Sequence, residues 1–388
     1  MTYGKAMQIY RIPERMDPRV FEAMQPYLTV RFGNAASLNH SFGWEAQDAC
    51  DRAREQVAAA IHAQAAREII FTSGGMESAL LAIEGGAAAY ADRGDHIVAG
   101  ILPSSAAARA CQDLQARGCR ITLLPFDRHG QLPPEEVEAA VTDRTVLITA
   151  AAVHEVLGVC QPVAELSRIA RAAEAVLHID GGSFLDLLPV DVQAQGIDLL
   201  SVDGPALYGP RGTGALYVRG RKPRVLLTPL IDGGGQERGW RSGTLNVPGI
   251  VGLGAACALA AAERAGVSSR LLQWQNDWEK AMASRCDGLT VFEAPVPRMP
   301  GVVVMTVEGV DHETLAAGLA EAMQAGVFRP ARILPIPAVI GRPYGMEGGL
   351  SIRFNRFTTE ADLGHLADAL LERVKKLRGS ADHGGLSG

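Results

Sequence analysis

The stretch Glu68-Ile69-Ile70-Phe71-Thr72-Ser73-Gly74-Gly75 joins a short apolar run to a glycine turn, and an amphipathic pattern follows to about Tyr90. A run of that length reads as a buried strand, and the Ser-Gly-Gly turn reads as the start of a helix. The alternation continues on the C-terminal side. Residues 96–99 read as a strand, 104–117 as a helix, 119–124 as a strand, and a helix opens near Pro134. Further strands fall at 145–150, 175–179 and 198–202, and residues 212–218 read as a strand feeding an edge hairpin. Strands alternating with helices of roughly 10–15 residues imply an α/β fold with a mostly parallel sheet covered on both faces. Residues 248–272 are long, apolar and helical. A smaller α+β unit follows, with strands at 301–307 and 350–354 and helices at 312–324 and 359–377. The Gly/Ser/Asp/His-rich tail, 378–388, is expected to be disordered.

The chain has 388 residues and a net charge of −6, with 47% apolar and 21% charged residues. This suits a globular protein of two or more domains and argues against a nucleic-acid partner, whose site would carry a basic surface. Residues 1–12 hold no signal-like apolar core, and the longest apolar run, 247–262, is shorter than a membrane span. The six cysteines (50, 111, 119, 160, 257 and 286) form no CxxC pair and no metal-ligand spacing, so they read as reduced core thiols of a cytoplasmic protein with no bound metal.

Lysine is absent from every position between Lys5 and Lys222. Within that gap lies Ser201-Val202-Asp203-Gly204-Pro205-Ala206-Leu207-Tyr208-Gly209-Pro210-Arg211-Gly212, a strand end, a tight turn and an arm. Other blocks, in order, are Val30-Arg31-Phe32-Gly33-Asn34 with His40-Ser41-Phe42-Gly43-Trp44-Glu45; Phe71-Thr72-Ser73-Gly74-Gly75-Met76-Glu77-Ser78; His178-Ile179-Asp180; residues 207–218; residues 233–248; and Arg353-Phe354 with Arg356-Phe357-Thr358-Thr359. This ordered set resembles the cysteine desulfurases, in the class V branch of the pyridoxal-phosphate (PLP) aminotransferase fold. The resemblance covers roughly residues 16–376. It implies a fold type I large domain with a mostly parallel mixed sheet at 16–258, a smaller α+β domain at 259–377 packing with the N-terminal segment 1–15, a disordered tail at 378–388, and a dimer.

The departures from the family pattern fall where the cofactor would lie. The resemblance sets Asp203, Pro205 and Ala206 against the serine, histidine and lysine of a Ser-x-His-Lys motif, and a Schiff base needs a primary amine that Ala206 lacks. Met76 stands for a phosphate-loop threonine beside Gly74 and Gly75. Asp203 stands for a phosphate-facing serine, and a carboxylate about 4 Å from a phosphate repels it by ~1 to 4 kcal/mol per unit charge. Pro103 stands for the ring-stacking histidine, Glu155 and Ser183 for the asparagine and glutamine near the ring hydroxyl, and Ile12-Pro13-Glu14 for an Ala-Thr-Thr segment. The mobile loop that should carry the persulfide cysteine corresponds to residues 326–337, which hold no cysteine and include Arg332. Ala206, Pro205, Asp203, Pro103 and Arg332 are thus degenerate catalytic positions. Gly74, Gly75, Met76, Glu155, Asp180, Ser183 and Thr244 form a vestigial cofactor site, and Arg353 is a remnant of substrate-carboxylate binding.

Each survivor also has a plainer role. Asp180 serves equally as a strand-end carboxylate capping the next turn, Arg353 as an ion-pair partner between domains, and Ser73-Gly74-Gly75 as a helix start. His154-Glu155 has no evident acid–base partner. The 233–248 loop, which in the family crosses the dimer interface, either fixes a dimer or completes the site of an active subunit. The expectation is a non-catalytic cytoplasmic scaffold or partner subunit in sulfur transfer or iron–sulfur assembly. Its partner would be its own copy, an active desulfurase or an iron–sulfur scaffold protein; no cofactor, membrane or nucleic acid is expected, and non-covalent PLP ranks last. The alternative is an enzyme or sensor using Asp180, Arg353, Glu155 and Asp203 to hold a small amino-acid-like ligand without a Schiff base.

Overall fold

Seven strands form the larger sheet: β1 (Ile69–Thr72), β2 (His96–Gly100), β3 (Arg120–Leu123), β4 (Thr145–Ala151), β5 (Val176–Asp180), β6 (Leu199–Asp203) and β7 (Gly214–Val218), in the order β1-β7-β6-β5-β4-β2-β3. The structure is a computed structural model that describes residues 15–102, 105–182, 184–221, 223–324, 331–336 and 348–383. Strands β2 to β6 are mutually parallel where they pair. β2 and β7 are buried at every position, and β4, β5 and β6 at all but the last. Covered on both faces, they show no polar alternation. Successive residues still part to opposite faces: Ile69 and Phe71 join one core and Ile70 the other.

β7 is not an edge strand. After β6 the chain turns back within a few residues, and β7 pairs antiparallel with both β6 and β1, leaving β1 at the edge. The apolar run 214–218 carries no mark of which neighbour will flank it, so the edge reading fails. One glycine makes the arrangement possible, since a Cβ on Gly214 would sit 2.7 Å from the Gly74 backbone.

Helices α1 (Pro18–Thr29) and α2 (Ser41–Ala60) cover one face; α3 (Gly75–Leu80), its π-helical continuation Leu81–Gly85, α4 (Gly86–Ala89) and α5 (Ala106–Ala116) cover the other. α6 (Pro134–Ala140) and α7 (Val163–Ala172) link the next strands. α1 starts at Pro18 because Asp17 caps it, accepting from Arg19 N at 2.9 Å. Asp17 is also tied to Arg356, from the far end of the chain.

α8 (Val247–Arg285) is longer than its apolar pattern foretold: 39 residues, or about 58 Å at 1.5 Å per residue. Length and composition alone would let it cross a membrane. Here its small residues pack on α1 and α2, and a Cβ at Gly254 would stand 2.7 Å from Ala53 Cα. It is a core helix. Its C-terminal half reaches the second sheet, where Gln275 Oε1 accepts from Gly301 N at 3.0 Å and Trp278 meets Phe354 edge-on at 6.1 Å.

That sheet is antiparallel, in the order β10-β11-β9-β8, from β8 (Leu289–Val291), β9 (Val302–Val307), β10 (Ala331–Ile336) and β11 (Gly349–Phe354). α9 (His312–Gln324) and α10 (Glu360–His383) complete the unit. Two readings change here. Part of the expected loop at 326–337 is an edge strand, tolerant of Pro335 because an edge leaves backbone groups unpaired. α10 runs to His383, into the stretch expected to be disordered, because Arg378 bonds the Asp287 and Glu308 carbonyls.

The glycine-rich loop is pinned by one buried carboxylate. Glu237 accepts from Arg54 Nη1 at 2.7 Å, Arg54 Nη2 at 2.9 Å and Phe71 N at 2.8 Å. Both Glu237 and Arg54 are at most 9% exposed. Removing one member of such a pair leaves a buried charge unmatched, so Glu237→Ala should destabilise the chain by about 3–5 kcal/mol in urea unfolding. Arg54→Ala added to it should cost much less than its own separate effect. Additive losses would show that the two do not act as a pair.

Candidate functional site

Ala151, Asp180 and Asp203 are the last residues of β4, β5 and β6, and Asp180 lies in register with Ala151 and Ser201. Thr72 ends β1 opposite Gly214, which also faces Asp203, so all four strand ends open at one edge of the sheet. In open α/β sheets the crevice beyond these carboxyl ends is where ligands bind. Its floor is a buried polar row: His178 sits between Thr149 Oγ1 and Ser201 Oγ, each at 2.8 Å. Burial pushes the His178 imidazole down to about 3, so it is neutral near pH 7 and donates to one hydroxyl while accepting from the other.

The β1–α3 turn is occupied by the chain's own carboxylates. Gly75 N donates to Asp203 Oδ1 at 2.9 Å, and Ser73 N donates to Glu77 Oε2 at 2.8 Å. Arg241 from the glycine-rich loop holds Glu77, Nε to Oε1 at 2.9 Å. Burial raises the Glu77 carboxyl, but the hydrogen bonds from Arg241 and Ser73 outweigh it and leave the group below its ordinary value. Gly74 has φ of +151°, which favours glycine, and Met76 is exposed. Glu77 and Arg241 were not among the sequence-derived site residues. The available signal was a glutamate three residues after the helix cap, the position that reaches back to free N–H groups.

Ala206 lies with Pro205 in a short 3-10 turn, Pro205–Leu207, directly after β6. Its methyl group offers no amine. A Cβ at the adjoining Gly209 would meet Ala256 of α8 at 3.2 Å, whereas Lys280 lies about 36 Å further along that helix. Lys375 and Lys376 are on α10, beyond the Arg285–Asp368 ion pair at the far end of α8. Lys5 and Lys222 lie outside the described residues. All six thiols are raised above the ordinary cysteine range. Burial pushes Cys50, Cys111 and Cys257 up to about 12 and Cys160 up to about 11, and it raises Cys119 and Cys286 as well.

The remaining positions divide between the cleft and its surroundings. Asp180 Oδ1 accepts from Gly182 N at 3.1 Å, the turn-capping role. Arg353, buried in β11, donates through Nη2 to the Glu155 carbonyl, and Ser351 Oγ donates to the Val156 carbonyl at 2.6 Å. The second sheet therefore meets the loop after β4 through these backbone acceptors. His154 is buried edge-on against Phe126, accepts from Leu157 N at 3.2 Å, and is pushed down to about 4 by burial, so its role is structural. Thr244 is exposed on the glycine-rich loop. Arg332 pairs in register with Arg353 across β10 and β11. Pro103 and Ser183 lie outside the described residues. Among the described residues no cluster of His, Cys, Asp and Glu could hold a metal.

The profile of the aminotransferase class-V family matches residues 13–364. The chain belongs to that family. Over 375 residues it is 40% identical to the cysteine desulfurase IscS of Anaeromyxobacter dehalogenans (strain 2CP-C), covering 95% of this chain and 92% of that protein. The cysteine desulfurase of Mus musculus is 38% identical over 369 residues, covering 94% and 80%. Among solved structures, a NifS-like protein superposes with a TM-score of 0.83 at 26% identity, covering 93% of this chain and 97% of the other. DndA from Streptomyces lividans gives 0.75 at 30% identity, covering 91% and 99%.

Membership overturns one expectation. The family is PLP-binding, so the absence of any cofactor does not stand as a reading of this class V chain. The family's Schiff-base linkage, however, does not fit the described residues of this cleft. Ala206 has no amine and Asp203 already engages Gly75 N, so no catalytic step is drawn through the cofactor here.

The turn's electrostatics give a pH signature. Glu77 is held below its ordinary 4.5, so its contribution to stability is present above 4.5 and is lost as pH falls through the lowered folded value. Arg241→Met should cost about 1 kcal/mol near pH 7, and this difference from wild type should shrink across that acid window in urea titrations. A loss that stays constant across the window would mean that the pair is not its source.

Proposed function

We propose that this class-V chain is a cysteine-desulfurase-like protein that does not itself desulfurise cysteine, and that it acts in the cytoplasm as a scaffold or partner subunit in sulfur transfer or iron–sulfur assembly. The observation that carries the reading is the methyl side chain of Ala206 at the turn after β6. Its support is the burial of every cysteine thiol except the half-buried Cys119 and Cys160. A desulfurase needs an amine to activate the amino acid and a thiolate to take the sulfur.

The partner is a desulfurase-like chain, its own copy or an active relative. Support comes from an exposed apolar segment running from the end of α1 into α2. Val30 is 71% exposed, Phe32 68% and Trp44 56%, and Phe32 and Phe42 stack at 5.4 Å. Large exposed apolar side chains grouped in this way mark interaction surfaces.

Purified chain given cysteine and added PLP should release no alanine or sulfide above the protein-free rate. Its native mass should be that of a dimer, and Phe32→Asp with Trp44→Asp should reduce it to a monomer. PLP-dependent release of alanine and sulfide in equal amounts would overturn the non-catalytic reading. A monomeric wild-type chain that also stays unbound when mixed with an active desulfurase would overturn the partner reading.

A further inference from the structure

The two carboxylates in the β1–α3 turn differ in origin. Glu77 is local, four residues from the Ser73 N–H it accepts from. Asp203 arrives from the end of β6, 128 positions away in sequence, to accept from Gly75 N at 2.9 Å. The fit is close: a Cβ on Gly75 would lie 3.0 Å from Asp203 Cβ, and one on Gly74 would lie 3.3 Å from Asp203 Oδ1. The glycines thus let a carboxylate from another strand seat itself against the turn's backbone. A carboxylate is an acceptor of the same kind as a phosphate oxygen, with one negative charge where a phosphate monoester carries about −1.5 to −2.

We propose that Asp203 is a built-in anion that competes with the phosphate group of a pyridoxine-type ligand for this turn, and so sets how much that phosphate contributes to binding in the cleft. Two effects act in the same direction. The incoming phosphate finds the Gly75 N–H already engaged, and it meets a like charge at close range. Glu77 reinforces both, because it engages Ser73 N and pairs with the Arg241 guanidinium. A ligand without phosphate meets neither penalty. The inference concerns ligand choice in the cleft and holds whether or not the chain is a partner subunit.

Pyridoxine and pyridoxine 5′-phosphate test it, since they differ only in the phosphate and carry no aldehyde to react with surface lysines. Equilibrium dialysis with the full chain reads both affinities. Wild type should bind the two within roughly threefold of each other. Asp203→Asn and Asp203→Ser should each tighten binding of the phosphate ester by about tenfold or more, with pyridoxine unchanged. Thermal melts of both variants establish that they are folded, and the wild-type ratio needs no variant. A wild-type preference for the phosphate ester of about a hundredfold would overturn the proposal. So would variants whose affinity for the ester stays within about twofold of wild type, including the case where none of the three binds it.

Discussion

The Glu237 carboxylate is the constraint on which the strand–turn–loop region depends. It joins three parts of the chain that share no sequence neighbourhood: Arg54 on α2, the Phe71 N–H on β1, and the glycine-rich loop that carries Glu237 itself. β1 is an edge strand, so one side of its backbone has no strand partner, and Glu237 and Arg54 take up that side at Phe71 and Ile69. Glu237 and Arg238 both sit at positive φ, a strain that the buried hydrogen bonds offset. Once β1 is held, the turn after Thr72 and the arrival of Asp203 beside it follow from the register of β1, β7 and β6.

The cleft sits on the scaffold of the class V family. The neutral His178 row beneath Asp180 and Asp203 is intact, buried and satisfied on both nitrogens. Above it, the turn after β6 carries the methyl group of Ala206, and the end of β6 carries the Asp203 carboxylate. The two side chains differ in kind. Ala206 brings no reactive group to the turn, whereas Asp203 brings a charge and finds a backbone donor to compensate it. The cofactor-free expectation treated both as losses. Family membership corrects that view, and the geometry gives Asp203 a hydrogen bond of its own from Gly75 N.

Much of the fold was legible because the central strands are short apolar runs bounded by turn residues, as in 145–151 and 176–180, and because helix 312–324 has clear periodicity and limits. The expectation for Ala206 and Asp203 came from a different source, a motif that fixes the residue type at each place. Several features were hidden. Whether β7 lies at an edge depends on partners far away in sequence. The π-helical segment Leu81–Gly85 has the same apolar composition as an α-helix. The Glu155 carbonyl that Arg353 bonds is a group every residue has, so that contact carries no signal in the sequence. Glu237 and Arg54, 183 positions apart, read as ordinary surface charges until the fold brings them together.

α8 has a consequence for modularity. The same uninterrupted helix packs on α1 and α2 at one end and on β8, β9 and α10 at the other. No flexible linker separates the two sheets at this point, and the sequence-derived division at 258/259 falls inside a continuous hydrogen-bonded rod. The two halves therefore share one structural element, not a hinge. A cut through the rod would bare apolar surface on both fragments, so the helix acts as a shared spine for the two sheets.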